Sequence, residues 1–135
     1  MLTQSIRWGR VIIGGIIAEV AVILILIALV ATFGPSETVS AQAFAERLGR
    51  WVGPIGGALC SFLAAFFVAR PLTSGRKMNG VAAGVFLAVL DVVLLVASHP
   101  PFQWLFVVSN LGKILAGYVG GVASFRFGKD TQKFA

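Results

Sequence analysis

Between Val11 and Phe33 only Glu19 and Thr32 interrupt a run of Val, Ile, Leu, Ala, Gly and Phe. Three further apolar runs follow, so candidate spans lie at about 10–33, 51–70, 78–97 and 104–126. About 20 residues of helix cross a hydrocarbon core roughly 30 Å thick, and each run is long enough to do so. Backbone groups find no water inside a bilayer, which leaves helices or a closed barrel. Barrel strands alternate apolar and polar residues, whereas these runs are apolar throughout. The pattern predicts an all-α membrane protein, a single four-helix transmembrane domain over residues 1–135.

The polar breaks set the threading. "RPLTSGRK" at 70–77 reads as a tight turn, with Pro71 ending one helix and Gly75 reversing the chain. "SHPPFQ" at 98–103 is equally short, with Pro100 and Pro101 stopping the third helix and Trp104 at the aromatic belt. Short links make neighbouring helices antiparallel, which predicts an up-down-up-down bundle. The longest connection, 34–50, opens on the helix stop Gly34-Pro35. Within it Ala41, Phe44, Leu48 and Trp51 share a helical face, and Glu46 and Arg50 have the i,i+4 spacing of an ion pair. Two readings stand: a short amphipathic helix lying in the outer interface and feeding the second span, or a plain connector anchored by Trp51.

Composition agrees with lipid as the solvent. Of 135 residues 58% are hydrophobic and 12% charged, and the mean hydropathy is +0.93. A net charge of +6 raises the question of nucleic acid, but the cations form no basic stripe. Arg7, Arg10, Arg70, Arg76, Lys77, Arg126, Lys129 and Lys133 flank one side of the four runs, against Arg47 and Arg50 on the other. Basic flanks mark the cytoplasmic side, so both termini are expected there, with the bilayer rather than nucleic acid as partner. Arg7, Arg10, the first run and "AQA" at 41–43 also resemble a secretory signal, whose removal would leave three spans. Signal cores are only about 7–15 residues and this run is longer, which favours an uncleaved span.

Helices associate in lipid through small residues that let backbones approach. Gly14 and Ala18 supply them in the first span, and Gly53, Gly57, Ser61 and Ala64 in the second. Gly80, Gly84, Ala88 and Asp91 follow at helical spacing in the third span, and Asn110, Lys113, Gly117, Gly120 and Ser124 in the fourth. Asp91 and Lys113 therefore point at other helices. At about 1.5 Å per residue Asp91 lies ~21 Å beyond Lys77 and Lys113 ~20 Å before Arg126, which places them level. Glu19, ~13 Å beyond Arg10, is placed nearer the cytoplasm. An unpaired intramembrane charge costs at least about 2.5–3.5 kcal/mol, so Asp91 and Lys113 are expected to pair. Two acids against one base leave Glu19 as the acid expected to be neutral, free to exchange protons or simply hydrogen-bonded to a neighbour such as Ser61. The polar candidates are thus Glu19, Asp91, Lys113, Asn110 and Ser61.

Other chemistry is not indicated. His99 has no second ligand at metal spacing, no Ser–His or Asp–Asp constellation occurs, and Cys60 lies mid-span with no partner for a disulfide. No cofactor, no metal and no enzyme activity are expected. "AAFFVAR" at 64–70 and "GGVASFR" at 120–126 form a weak internal repeat, as do "GGIIA" at 14–18 and "AGVFL" at 83–87.

"IRWGRVIIGGIIAEV" at 6–20, followed by three small-residue spans, resembles uncharacterised four-helix integral membrane proteins of bacteria. The resemblance implies a bacterial cytoplasmic (inner) membrane and no particular activity. "GGIIAEV" at 14–20 is also similar to the first helix of small multidrug-resistance transporters, which implies a coupling role for Glu19 alone. Here the first loop is longer, the third span lacks the aromatic, Gly-rich face, and Lys113 is additional. Two functions follow as expectations. One is a non-catalytic structural or accessory membrane component with a buried Asp–Lys pair. The other is a proton-coupled small transporter, acting as a homo-oligomer, with Glu19 as the titrating residue.

Overall fold

A computed structural model of the chain describes residues 5–98 and 103–127, so His99, Pro100, Pro101, Lys129 and Lys133 lie outside the described residues. Those residues form four α-helices: α1 (Trp8–Phe33), α2 (Thr38–Ala69), α3 (Arg76–Ser98) and α4 (Trp104–Phe127). With 26, 32, 23 and 24 residues, each is long and apolar enough to cross a membrane.

The second helix departs from the boundaries read in the sequence. It starts at Thr38 instead of near 51, so the connection to α1 shrinks to Gly34–Glu37 and the amphipathic stretch is the first part of α2. Glu37 opens the helix, its Oε2 accepting the Ser40 hydroxyl at 2.9 Å. Ala41, Phe44 and Leu48 turn partly inward, whereas Trp51 is exposed. The helix also continues through Pro54. Glu46 and Arg50 make no ion pair: among the described residues both salt bridges belong to Lys113.

Packing follows the small residues. A Cβ on Gly84 would stand 2.7 Å from the Lys113 carbonyl, and one on Gly80 2.6 Å from the Gly117 carbonyl and 2.7 Å from Gly121 Cα. Only hydrogen at these positions allows α3 and α4 to touch backbone to backbone. Residue numbers run in opposite senses along that contact. Gly120 meets Phe62 and Ala65, and Gly57 meets the Lys113 side chain, so numbers along α2 and α4 run in the same sense. This sets the "AAFFVAR" and "GGVASFR" segments alongside one another. α2 packs on all three other helices, whereas α1 packs on α2 and α3 and not on α4. Gly53 has nothing within 4 Å of its Cβ position, and its place in the stripe is unused.

Two polar anchors fix the end that carries the α2–α3 turn. Gly75, at φ 69, supplies the left-handed residue that the turn requires. Fully buried Asn79 accepts the Arg7 backbone N–H at 2.7 Å and donates to the Gly75 carbonyl at 3.0 Å, tying the start of α1 to α3. Arg76 donates to the Ser124 carbonyl at 3.0 Å and lies 5.2 Å from the Phe125 ring centre, placing a cation at the negative end of α4.

Candidate functional site

Three charged side chains meet in the interior, each from a different helix. Lys113 Nζ lies 3.1 Å from Asp91 Oδ1 and 3.7 Å from Glu19 Oε2. The Lys113 side chain is 3% exposed, against 11% for Glu19 and 22% for Asp91, so the cluster is sealed at the lysine and opens at Asp91.

The geometry corrects the depth estimates. Lys113 and Asp91 are not level along their helices. The α3 residue against the Lys113 backbone is Gly84, and Asp91 comes two turns later, about 10 Å along the axis. The lysine stem covers part of that offset, lying over Gly57, where a Cβ would be 2.6 Å from Cε, and the Asp91 side chain, tilted toward the start of α3, covers the rest. Glu19 is not displaced toward the opposite end either. Arg7, not Arg10, is the α1 residue held against α3, through Asn79. Glu19 follows Arg7 by the same interval of twelve residues by which Asp91 follows Asn79. The two carboxylates therefore come to one lysine.

The remaining candidates take other positions. Ser61, fully buried, donates its hydroxyl to the Lys113 backbone carbonyl at 2.7 Å, and not to Glu19. It fixes the lysine from beneath by joining α2 to α4. Asn110 donates to the Phe106 carbonyl of its own helix at 2.9 Å, leaving a buried Oδ1 without a hydrogen-bond partner among the described residues. It stands apart from the ion cluster. Among the described residues Glu19 Oε2 is likewise buried without a hydrogen bond, since 3.7 Å to Nζ is an ionic contact and not a bond.

Sequence reasoning missed Asn79, Arg76 and Pro54. Asn79 stood beside Gly80 on the small-residue face, a polar residue where close packing leaves no water, and that position was its signal. Arg76 read only as a cytoplasmic charge.

Two spaces border the site. A cavity of about 530 Å³ lies among α2, α3 and α4, lined by Glu46, Arg50, Pro54, Asp91, Gln103 and Ser109 among others. It occupies the end of the bundle that carries the α1–α2 and α3–α4 connections. A second, apolar space of about 520 Å³ runs between α1 and α2, past Arg10, Ala18 and Cys60. Glu19 lines neither. Among the described residues no three His, Cys, Asp or Glu side chains gather as metal ligands.

No family model matches the chain, and no match is found among curated proteins or solved structures.

Proposed function

We propose that the chain is a small multi-pass integral membrane protein of a bacterial cytoplasmic membrane, and that it serves as a non-catalytic structural or accessory component. Up-down-up-down threading is supported by contacts that run oppositely between α3 and α4 and in the same sense between α2 and α4. Both termini are assigned to the cytoplasm by the basic residues at the ends of the runs. The bilayer is the first partner. Outward-facing Ile, Leu and Val side chains on α1 and α3 leave faces for a second copy or another membrane protein.

The observation that carries the structural role is Lys113 held between carboxylates of two other helices, with Ser61 on its backbone. An interior charge so enclosed ties helices together, and removing one partner strands the others. Thermal unfolding in detergent tests it. Lys113→Leu is expected to lower the melting temperature sharply, and addition of Asp91→Asn and Glu19→Gln to restore most of the loss. Equal melting of the single and triple variants would sink the structural role.

A second reading, an oligomeric proton-coupled small transporter, draws on one observation: Glu19 is an acid in excess of the lysine, buried with an oxygen that makes no hydrogen bond. Neither cavity is lined by Glu19, so a path past it forms between copies and this activity requires an oligomer. Proton flux into liposomes that Glu19→Gln abolishes is its expected signature. Absence of flux under every imposed gradient rejects it.

A further inference from the structure

The cavity among α2, α3 and α4 has a chemistry of its own. Its polar lining includes the Asp91 carboxylate, which gives Oδ1 to Lys113 and makes no hydrogen bond through Oδ2 among the described residues. Ser109 borders the same space, largely buried, its hydroxyl also without a hydrogen bond to the described protein. Arg50 and Pro54 both line it, and proline has no N–H to return to the carbonyl four residues back, which is that of Arg50. A carboxylate oxygen, a hydroxyl and a carbonyl released from its helix ladder are all hydrogen-bond acceptors. Acceptors gathered in this way suit a ligand that brings N–H donors.

At the mouth Glu46 and Arg50 carry opposite charges, and of the ion cluster it is Asp91, not Lys113 or Glu19, that lines the cavity. Leu95, Leu105 and Phe106 supply an apolar wall. The volume falls within the roughly 300–1,000 Å³ of small-molecule pockets.

We propose that this cavity binds a primary ammonium compound with a short apolar body. Its N–H groups donate to Asp91 Oδ2, the Ser109 hydroxyl and the Arg50 carbonyl, and its body rests against Leu95, Leu105 and Phe106. Acceptors need donors, so a quaternary ammonium of equal charge and similar body is a poor substitute. The site goes beyond the structural role of the ion cluster, with which it shares Asp91.

The test uses the full chain in phospholipid nanodiscs, with empty nanodiscs as the blank for partitioning. Binding of n-hexylammonium and of its N,N,N-trimethyl analogue is followed by ligand-detected NMR. The primary amine is expected to bind at least tenfold more tightly than the trimethyl compound, and Asp91→Asn to weaken it at least tenfold. Leu95→Trp fills the cavity without altering the ion cluster and decides the matter if Asp91→Asn does not fold: it is expected to abolish binding. No binding above empty nanodiscs, equal binding of the two amines, or binding that survives Leu95→Trp would overturn the proposal.

Discussion

Glu19 and Lys113 lie 3.7 Å apart on α1 and α4, two helices that do not pack on each other. Their link runs through side chains across the interior, and Asp91 shares the same ammonium at 3.1 Å. The two acids are not equivalent. Asp91 is closer and more exposed, whereas Glu19 is more deeply buried and makes no hydrogen bond through Oε2. Neutralising a buried charge that lacks good hydrogen bonds relieves desolvation, whereas neutralising the close partner leaves the lysine short. Asp91→Asn is therefore expected to lower the melting temperature in detergent more than Glu19→Gln, which should be close to neutral. The reverse order would show that Glu19 is the principal partner.

The glycine faces of α3 and α4 give a contrast on neighbouring residues. Gly84→Leu drives a side chain into the Lys113 carbonyl and Ile114 Cα, backbone atoms that cannot move aside. Gly112, on the same α4, has nothing within 4 Å of its Cβ position. Gly84→Leu is expected to abolish monodisperse folded protein in size-exclusion chromatography, and Gly112→Ala to be silent or slightly stabilising through helix propensity, worth about 1 kcal/mol at most.

Asn79 holds the start of α1 against α3 from a fully buried position. Asn79→Leu removes that anchor and takes away the acceptor of the part-buried Arg7 N–H bond, a loss of about 0.5–1.5 kcal/mol. Hydrogen exchange is expected to accelerate in the first turn of α1 and to stay unchanged in the middle of α4. Uniform acceleration along the chain would instead mean global destabilisation.

Ser61 makes one interhelical hydrogen bond, to the Lys113 carbonyl. Such bonds in membranes average about 0.6 kcal/mol, so Ser61→Ala is expected to cost little by itself. Gly57→Val acts on the same lysine by sterics, displacing its stem at Cε. It is expected to destabilise wild-type protein more than a Lys113→Ala background, measured as a difference in melting temperature.

Much of this protein was determined by its sequence alone. Runs of Val, Ile, Leu and Ala separated by Pro, Gly and basic residues specify four apolar helices, because solvent and backbone hydrogen bonding leave such runs no other form in lipid. The small-residue stripes of α3 and α4 were legible for the same reason: close approach needs absent side chains, and Gly80, Gly84 and Gly117 declare where it occurs. The helical face of Ala41, Phe44, Leu48 and Trp51 was legible, but not that one unbroken helix runs from Thr38 through the span, because the polar stretch and the apolar run differ in composition. Tertiary structure alone decided how the charges meet. Residue counting gives depth along one helix from an assumed starting level, and the level of α1 is set by Asn79 on another helix. The lysine stem and the back-tilted Asp91 side chain together bridge the two turns between their backbones. Which carboxylates it reaches, and that Asp91 also faces a cavity, depends on how α2, α3 and α4 pack and splay, a property of the assembled bundle that no single span contains.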